Sequence, residues 1–346
     1  MTLANRAYAT PLKHDRVRPL HRRLAVQPRR QVRRKDARPP VTVCIAASLN
    51  WQYPNGDIGR AVLTASDRMM TAGDIQYEPY QTKVCFLRRS VLLLVAGDMV
   101  IHSQAVRRMQ RKLLSEPSDN VEAIACEYGQ FISDIRRKQA STMYLSPLGL
   151  DEQSFLQQNN MNQQLIFELA SQLQDYSLDV EALVVGCDGL NAHIFHVRDD
   201  GIVSCLDDIN FAAIGMGRDH AKSQFMFIQY PKLITYYYAL PILYVAKKRA
   251  EVAPGVGRET DYHLVTRDAC VLIEPELIEV CKRHYEDAQS LVTGKYREAA
   301  RDLENEHHQL HAKLFKQPEQ QPTGNGSEDR LADQAAKAAS SSKDQT

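Results

Sequence analysis

A threonine, an aspartate, a lysine and a glycine each stand at the start or end of a β-prone run. Thr42 is at the front of the first run, Asp67 follows the second, Lys83 precedes the third and Gly97 follows the fourth. A threonine hydroxyl is a weak nucleophile until a base takes its proton, and a free α-amine on the same residue can be that base. A nearby ammonium lowers the pKa of such an amine, which is ordinarily about 8. These residue types therefore suit nucleophilic acyl transfer.

Short β-prone runs followed by amphipathic helices must position these residues. Strands are predicted at Val41–Leu49, Ala61–Ser66, Val84–Leu87, Val91–Ala96, Leu183–Gly186, His193–Val197, Ala212–Ile214, His263–Thr266 and Cys270–Ile273. Helices are predicted at Val100–Leu114, Val121–Gln139, Phe155–Leu173, residues 218–229, residues 234–252 and Glu276–Phe315. Two blocks of strands, each followed by helices, predict an α+β fold. The expected architecture is a four-layer αββα sandwich, with two antiparallel sheets between helical layers.

Charge and composition divide the chain into three parts. Residues 1–40 hold 12 Lys or Arg against two acids and show no apolar periodicity, which predicts a basic, disordered leader. Residues 317–346 are polar and rich in Gln, Ser and Gly, which predicts a disordered tail. A single domain over residues 41–316 remains, and it is long enough to bury a sizeable core.

Several classes of protein are excluded or disfavoured by the composition. The longest apolar run, Leu233–Ala246, has 14 residues and contains Pro241, whereas a membrane-spanning helix needs about 20. The seven cysteines are scattered without a CxxC pair, which indicates reduced thiols and a cytoplasmic protein. No phosphate-binding or dinucleotide motif is present, so no cofactor is predicted. His307 and His311 indicate a solvated helix face, so no metal is predicted. Nucleic-acid binding rests only on the leader's charge and is disfavoured.

The segment from Val41 to Asp98 resembles the proteasome-type N-terminal nucleophile (Ntn) hydrolases, which include proteasome β subunits and the Anbu-type bacterial homologues. The motifs that carry the likeness are Ala65-Ser66-Asp67-Arg68, Thr71-Ala72-Gly73, Thr82-Lys83-Val84 and Val95-Ala96-Gly97-Asp98. In that family a threonine opens the first strand, an Asp ends the second and a Lys starts the next. The spacings of 16 residues from Asp67 to Lys83 and 14 from Lys83 to Gly97 agree with the family without a gap.

The resemblance implies a role for each residue of this set. Thr42 is expected to be the nucleophile and, through its amine, the base. Lys83 is expected to tune that amine, and Asp67 to hold Lys83 charged and oriented. The N–H of Gly97 is expected to bind the oxyanion that develops during acyl transfer.

The same resemblance covers further positions, some of which depart from the family. Thr71 and Gly73 are expected to align a substrate backbone as an added strand. Met216 stands where the family has a serine that assists the terminal amine. Ala253 and Val256 stand where an aspartate and a serine are usual.

Three functions are compatible with this pattern. The leading one is a threonine-type peptidase that self-associates into a ring or other compartment and degrades peptides or unfolded protein, with an ATPase unfoldase as a candidate partner. The alternatives are a catalytically silent structural subunit and a non-peptide amide hydrolase or acyl-transfer enzyme. The candidate surface for self-association is Val100–Leu114 with Val121–Gln139, because the apolar positions of the second helix exceed what one core contact needs.

The chemistry requires a free amine on Thr42, although 41 residues precede it. One explanation is a mis-called start: a GTG codon at Val41 would be the initiator, and removal of the resulting Met would expose Thr42. The others are a propeptide or presequence that is cleaved, and a basic extension that is retained.

Overall fold

The computed structural model describes residues 42–72, 75–77, 83–157 and 162–315. The predicted leader and tail lie outside the described residues. The strands are β1 (Val43–Gln52), β2 (Ile58–Asp67), β3 (Met70–Ala72), β4 (Ile75–Tyr77), β5 (Val84–Arg88), β6 (Val91–Ala96), β7 (Glu181–Asp188), β8 (Asn191–Val197), β9 (Val203–Cys205), β10 (Phe211–Gly215), β11 (Thr260–Val265) and β12 (Cys270–Leu272). The helices are α1 (Met99–Ser115), α2 (Val121–Tyr144), α3 (Glu152–Gln157), α4 (Gln163–Gln174), α5 (Arg218–Phe227), α6 (Tyr236–Ala250) and α7 (Pro275–Phe315).

Two five-stranded antiparallel sheets form the centre of the fold. One has the strand order β10-β1-β2-β11-β12, and the other has the order β5-β6-β7-β8-β9. Helices α5, α6 and the start of α7 pack on the first sheet, while α1 and α2 pack on the second. A third apolar cluster lies between the sheets. The predicted α+β class, with two antiparallel sheets and flanking helices, is confirmed.

The alternation of side chains along the central strands explains this layering. In β1, Val43, Ile45 and Leu49 contact the helices, whereas Cys44 and Ala46 contact the other sheet. Successive side chains of a strand point to opposite faces, so a strand buried on both faces is apolar at every position. β6 follows the same rule, because its odd-numbered residues face α1 and α2 and its even-numbered ones face the first sheet.

The predicted helix over Phe155–Leu173 is wrong as a single element. Helix α3 ends at Gln157 and α4 begins at Gln163, where the side chain of Asn162 accepts a hydrogen bond from Gln164 N at 2.9 Å. Asn caps helices more readily than it continues them, since its side chain competes for backbone groups. The short strands β3, β4 and β9 were not predicted, because three residues carry too little periodicity to be recognised.

The surface predicted for self-association is largely occupied by the chain's own core. Five of the apolar residues of α2 on which that prediction rests are buried there: Val121, Ile124, Tyr128, Ile132 and Ile135. They pack against the second sheet and α1, so they cannot also face a neighbour. Large exposed apolar side chains lie at both ends of α1, on α5, on α6, between those two helices and along α7. None of the described helices is long and apolar enough to cross a membrane.

The packing of α2 generates a testable prediction. Gly129 lies mid-helix, and a Cβ there would stand 2.6 Å from the carbonyl oxygen of Gly201. Although Ala stabilises most helices by about 1 kcal/mol relative to Gly, we expect Gly129→Ala to lower the free energy of unfolding by about 1–3 kcal/mol through overpacking.

Gly294 in α7 is the matched control, because nothing lies within 4 Å of the corresponding Cβ. Gly294→Ala should leave the free energy of unfolding unchanged or raise it. Urea denaturation followed by circular dichroism measures both variants. A stabilised Gly129→Ala protein would contradict the close contact between α2 and the β8–β9 turn.

Candidate functional site

Thr42, Asp67 and Lys83 lie together at one end of the sandwich. Thr42 directly precedes β1, Asp67 is the last residue of β2, and Lys83 directly precedes β5. β1 pairs with β2 so that Cys44 lies opposite Ser66, which brings the start of β1 beside the end of β2. β5 belongs to the other sheet, so the site is built from both sheets.

Direct side-chain contacts join the three residues. Lys83 Nζ donates to Thr42 Oγ1 at 2.5 Å and to Asp67 Oδ1 at 3.1 Å. Thr42 Oγ1 donates to the same carboxylate oxygen. The exposed fractions of Thr42, Asp67 and Lys83 are 1%, 0% and 4%. The threonine hydroxyl therefore lies between a buried ammonium and a buried carboxylate.

Backbone donors complete the surroundings of the Asp67 carboxylate. Val43 N donates to Oδ1 at 3.1 Å, and Gly257 N donates to Oδ2 at 2.8 Å. A buried carboxylate is costly unless it is paired and hydrogen-bonded. Both oxygens of Asp67 meet that requirement, with donors from β1, from the residue before β5 and from the loop between α6 and β11.

Gly97 follows β6 at the same end of the molecule. Cys44 Sγ donates to Val95 O at 3.4 Å, which places the end of β6 against the start of β1. Gly97 has φ +109°, and a Cβ there would overlap the carbonyl of Asp179, so only glycine fits. Among the residues that the structure describes, none accepts a hydrogen bond from the Gly97 N–H. Within the described part of the chain, the strand end that lies against the start of β1 is therefore followed by an N–H donor without an acceptor.

The two residues predicted to align a substrate are described only in part. Thr71 lies on β3, where its backbone pairs with that of Gln76 on β4. Gly73 lies outside the described residues. A role for these two positions in substrate binding therefore stays a prediction.

The three residues at which the chain departs from the proteasome-type pattern lie in apolar surroundings. Ala253 and Val256 are buried in the cluster between the first sheet and α6, and Met216 packs against that cluster. Their side chains offer no hydroxyl or carboxylate to the site. In this region the donor to Asp67 is the backbone N–H of Gly257.

Lys247 bonds to the carbonyl oxygen of the same glycine. The sequence analysis did not identify this lysine as part of the site. Its side chain is fully buried on α6, and Nζ donates to Glu251 Oε1 at 2.7 Å and to Gly257 O at 2.9 Å. Burial lowers the pKa of Lys247, and the carboxylates of Glu251 and Asp67 oppose that shift. A lysine on the apolar face of a predicted helix was the available sequence signal.

Glu181 is a second residue that the sequence did not reveal. Its Oε2 accepts from Gly215 N at 3.2 Å, and its Oε1 accepts from Arg218 at 2.7 Å. The turn after β10 is bonded to the main chain of Thr42, since Gly217 N donates to Thr42 O at 3.4 Å. Glu181 belongs to no motif and begins β7, so nothing in the sequence marks it.

The chemistry of the neighbouring groups favours the hydroxyl as the nucleophile. Burial raises the pKa of the Cys44 thiol to about 12, so this cysteine is neutral at physiological pH and unreactive. Among the described residues, no three His, Cys, Asp or Glu side chains are grouped so that they could hold a metal ion. Thr42 Oγ1 is therefore the candidate nucleophile at this end of the molecule.

Comparison with known proteins assigns no family. No protein-family model matches the chain, and no curated protein matches it either. What the site can do follows from its geometry: a hydroxyl lies between an ammonium and a carboxylate, and Gly97 follows the strand that ends beside β1. Such a set can carry nucleophilic acyl transfer once a base for the hydroxyl is available.

The role of Lys247 gives a prediction about stability. Lys247→Met keeps the apolar stem but removes the donor to Glu251 and Gly257 O. We expect the free energy of unfolding to fall by about 2 kcal/mol, because two buried acceptors lose a charged donor. Urea denaturation measures the loss. Lys248→Met is the matched control, since Lys248 contacts the same Glu251 but is 27% exposed. Equal losses in the two variants would contradict a special role for the buried lysine.

Proposed function

We propose that this chain is a threonine-type N-terminal nucleophile hydrolase of the proteasome family, which cleaves peptide bonds once Thr42 has a free α-amine. The observation that carries the proposal is the 2.5 Å contact between Lys83 Nζ and Thr42 Oγ1, with Asp67 Oδ1 3.1 Å from the same ammonium. The two antiparallel sheets between helices are compatible with the Ntn-hydrolase fold, which belongs to the same proposal.

The first half of the reaction makes an ester on the threonine. The α-amine of Thr42 takes the hydroxyl proton as Oγ1 attacks the substrate carbonyl carbon, and the carbonyl electron pair moves onto oxygen. The Gly97 N–H binds that oxyanion. When the intermediate collapses, the C–N bond breaks and the leaving amine takes the proton held by the α-ammonium.

The second half regenerates the threonine. The α-amine takes a proton from water, the resulting hydroxide attacks the ester carbonyl, and the C–Oγ1 bond breaks as Oγ1 recovers a proton. Throughout, the charge of Lys83 lowers the pKa of the amine and keeps it basic at physiological pH. The carboxylate of Asp67 holds that ammonium in place.

A second candidate, a catalytically silent structural subunit, is favoured by a different observation. Thr42 exposes only 1% of its surface, and the nearby positions Met216, Ala253 and Val256 carry no polar side chain. The third candidate, a non-peptide amide hydrolase or acyl-transfer enzyme, would use the same Thr42 chemistry. Reaction with a threonine-directed inhibitor separates both enzymes from the silent subunit, and peptide turnover separates the two enzymes.

The cytoplasmic location and the partners belong to the same proposal. All seven cysteines are free thiols, which is typical of cytoplasmic proteins. Peptides or unfolded protein would be the substrates, and an ATPase unfoldase would deliver folded ones. No metal or cofactor is needed for the reaction as written.

The reaction predicts that Thr42 is a free N-terminal residue and that an epoxyketone labels it. Untreated active material should begin at Thr42, as read by N-terminal sequencing. An epoxyketone bonds to both the hydroxyl and the α-amine, so treated material should carry one label per chain, as read by intact mass, and its N-terminus should be blocked. Lys83→Ala should lower peptide turnover by at least about 100-fold, because the amine loses its tuning charge. Lys83→Arg should not rescue it, since a guanidinium differs in size and shape.

Lys232→Ala provides the control, because the side chain of Lys232 is 61% exposed and bonds only to exposed Asp208 among the described residues. Its turnover should equal that of the wild type. Near-normal turnover in Lys83→Ala would overturn the proposed mechanism. Active material that still begins at Met1 would overturn the proposal as well, since Thr42 would then have no free amine.

Self-association into a compartment also belongs to the proposal. Large apolar side chains on and between α5 and α6 are mostly exposed: Phe227, Leu233, Tyr237 and Tyr238 expose 73–83%. Leu233 and Tyr238 line one open cavity, and exposed apolar surface of this kind is typical of a protein interface. Sedimentation at micromolar concentration should give a species larger than the 39.2 kDa chain, and Tyr237→Lys should dissociate it. A wild-type monomer would contradict the compartment.

A further inference from the structure

His102 links the residue before Gly97 to helix α2. It lies on α1, is 1% exposed, and places Nε2 2.9 Å from the carbonyl oxygen of Ala96 and Nδ1 2.8 Å from the hydroxyl of Tyr128. A carbonyl oxygen only accepts, so Nε2 must carry a proton. Burial lowers the pKa of His102 to about 4, so the ring is neutral near pH 7. Nδ1 therefore accepts from the Tyr128 hydroxyl.

The carbonyl that His102 holds and the N–H of Gly97 belong to the same planar peptide group. A hydrogen bond to Ala96 O therefore fixes the direction of the N–H at the other side of that plane. Such a constraint matters here, because β6 ends at Ala96 and Gly97 has the wide backbone freedom of glycine. The bond also polarises the peptide, which strengthens its N–H as a donor.

We propose that His102 is a positioning residue, which aims the Gly97 N–H at the oxyanion through its hydrogen bond to Ala96 O. Tyr128 contributes indirectly, since its hydroxyl keeps the His102 ring in the tautomer that donates from Nε2. The part concerning the oxyanion rests on the function proposed above. The part concerning the orientation of the peptide does not rest on it.

An alternative role for His102 is purely structural, as a polar link between α1 and α2. Both roles predict a loss of stability on substitution, so the test needs readouts that a structural link would not change. The sequence provides such a readout, because Ala72–Gly73 and Ala96–Gly97 are its only Ala–Gly pairs. Labelling Ala at the carbonyl with 13C and Gly with 15N therefore gives two peptide signals, one reporting on the proposed bond and one serving as an internal control.

The first measurement compares these two signals in the full-length wild type and in His102→Leu. We expect the Ala96 13C and Gly97 15N resonances to move upfield together, because the carbonyl loses its donor, while the Ala72–Gly73 signal stays in place. His102→Gln, whose amide can donate from a similar position, should restore most of the shift. If His102→Leu does not fold, Tyr128→Phe takes its place and should give a smaller shift in the same direction.

The second measurement is peptide turnover by the same proteins. We expect kcat to fall by about 10- to 100-fold in His102→Leu, with KM within about twofold, because an oxyanion donor acts in the transition state. His102→Gln should recover most of kcat. His263→Leu is the control: it removes another buried imidazole, on β11, whose Nδ1 has no hydrogen-bond partner among the described residues, and it should keep wild-type kcat.

The outcomes separate this inference from the proposed function. An unmoved Ala96–Gly97 signal in His102→Leu overturns the inference, and so does an unchanged kcat in a variant that still labels at Thr42. A wild type without turnover or label overturns the proposed function instead. In that case the Ala96–Gly97 signal alone decides whether His102 orients this peptide.

Discussion

The buried carboxylate of Asp67 is the group on which the rest of this site depends. It receives hydrogen bonds from Thr42 Oγ1, from Lys83 and from the backbone N–H groups of Val43 and Gly257. These donors come from both sheets and from the loop after α6. Leaving such a charge unpaired in the interior would cost several kcal/mol. The contacts that stabilise the site therefore also link the two sheets, in addition to the apolar cluster between them.

The distance between the two sheets determines whether the side chain of Lys83 can contact Thr42. Several residues of the layer between the sheets are small, among them Cys44, Ala46, Ala96 and Ala212. Small side chains let facing sheets approach closely. Lys83 precedes a strand of one sheet and Thr42 a strand of the other, so the 2.5 Å contact between them depends on this spacing. The charges are thereby held where water is excluded and their interaction is strong.

The sequence was sufficient to predict the strands that carry Thr42, Asp67 and Lys83, because alternating apolar runs and fixed spacings are local signals. It was not sufficient for Gly257, which bonds to a residue 190 positions away through a backbone N–H that has no side-chain signature. Glu181 and His102 were missed for a related reason: each acts on a backbone group of a neighbouring segment. The break between α3 and α4 was missed because an Asn cap outweighed the apolar periodicity.

The apolar residues at positions 216, 253 and 256 affect the site less than their identity suggests. In place of side-chain hydroxyls, the loop after α6 offers Asp67 the N–H of Gly257, and Lys247 holds that glycine through its carbonyl. His102 bonds to Ala96 O, which lies in the same peptide plane as the Gly97 N–H. Lys247 bonds instead to Gly257 O, in the peptide that follows the Gly257 N–H. In both places a buried side chain holds the backbone beside a glycine. Backbone donors held in this manner need no reorganisation when charge develops, which is the property that electrostatic catalysis requires.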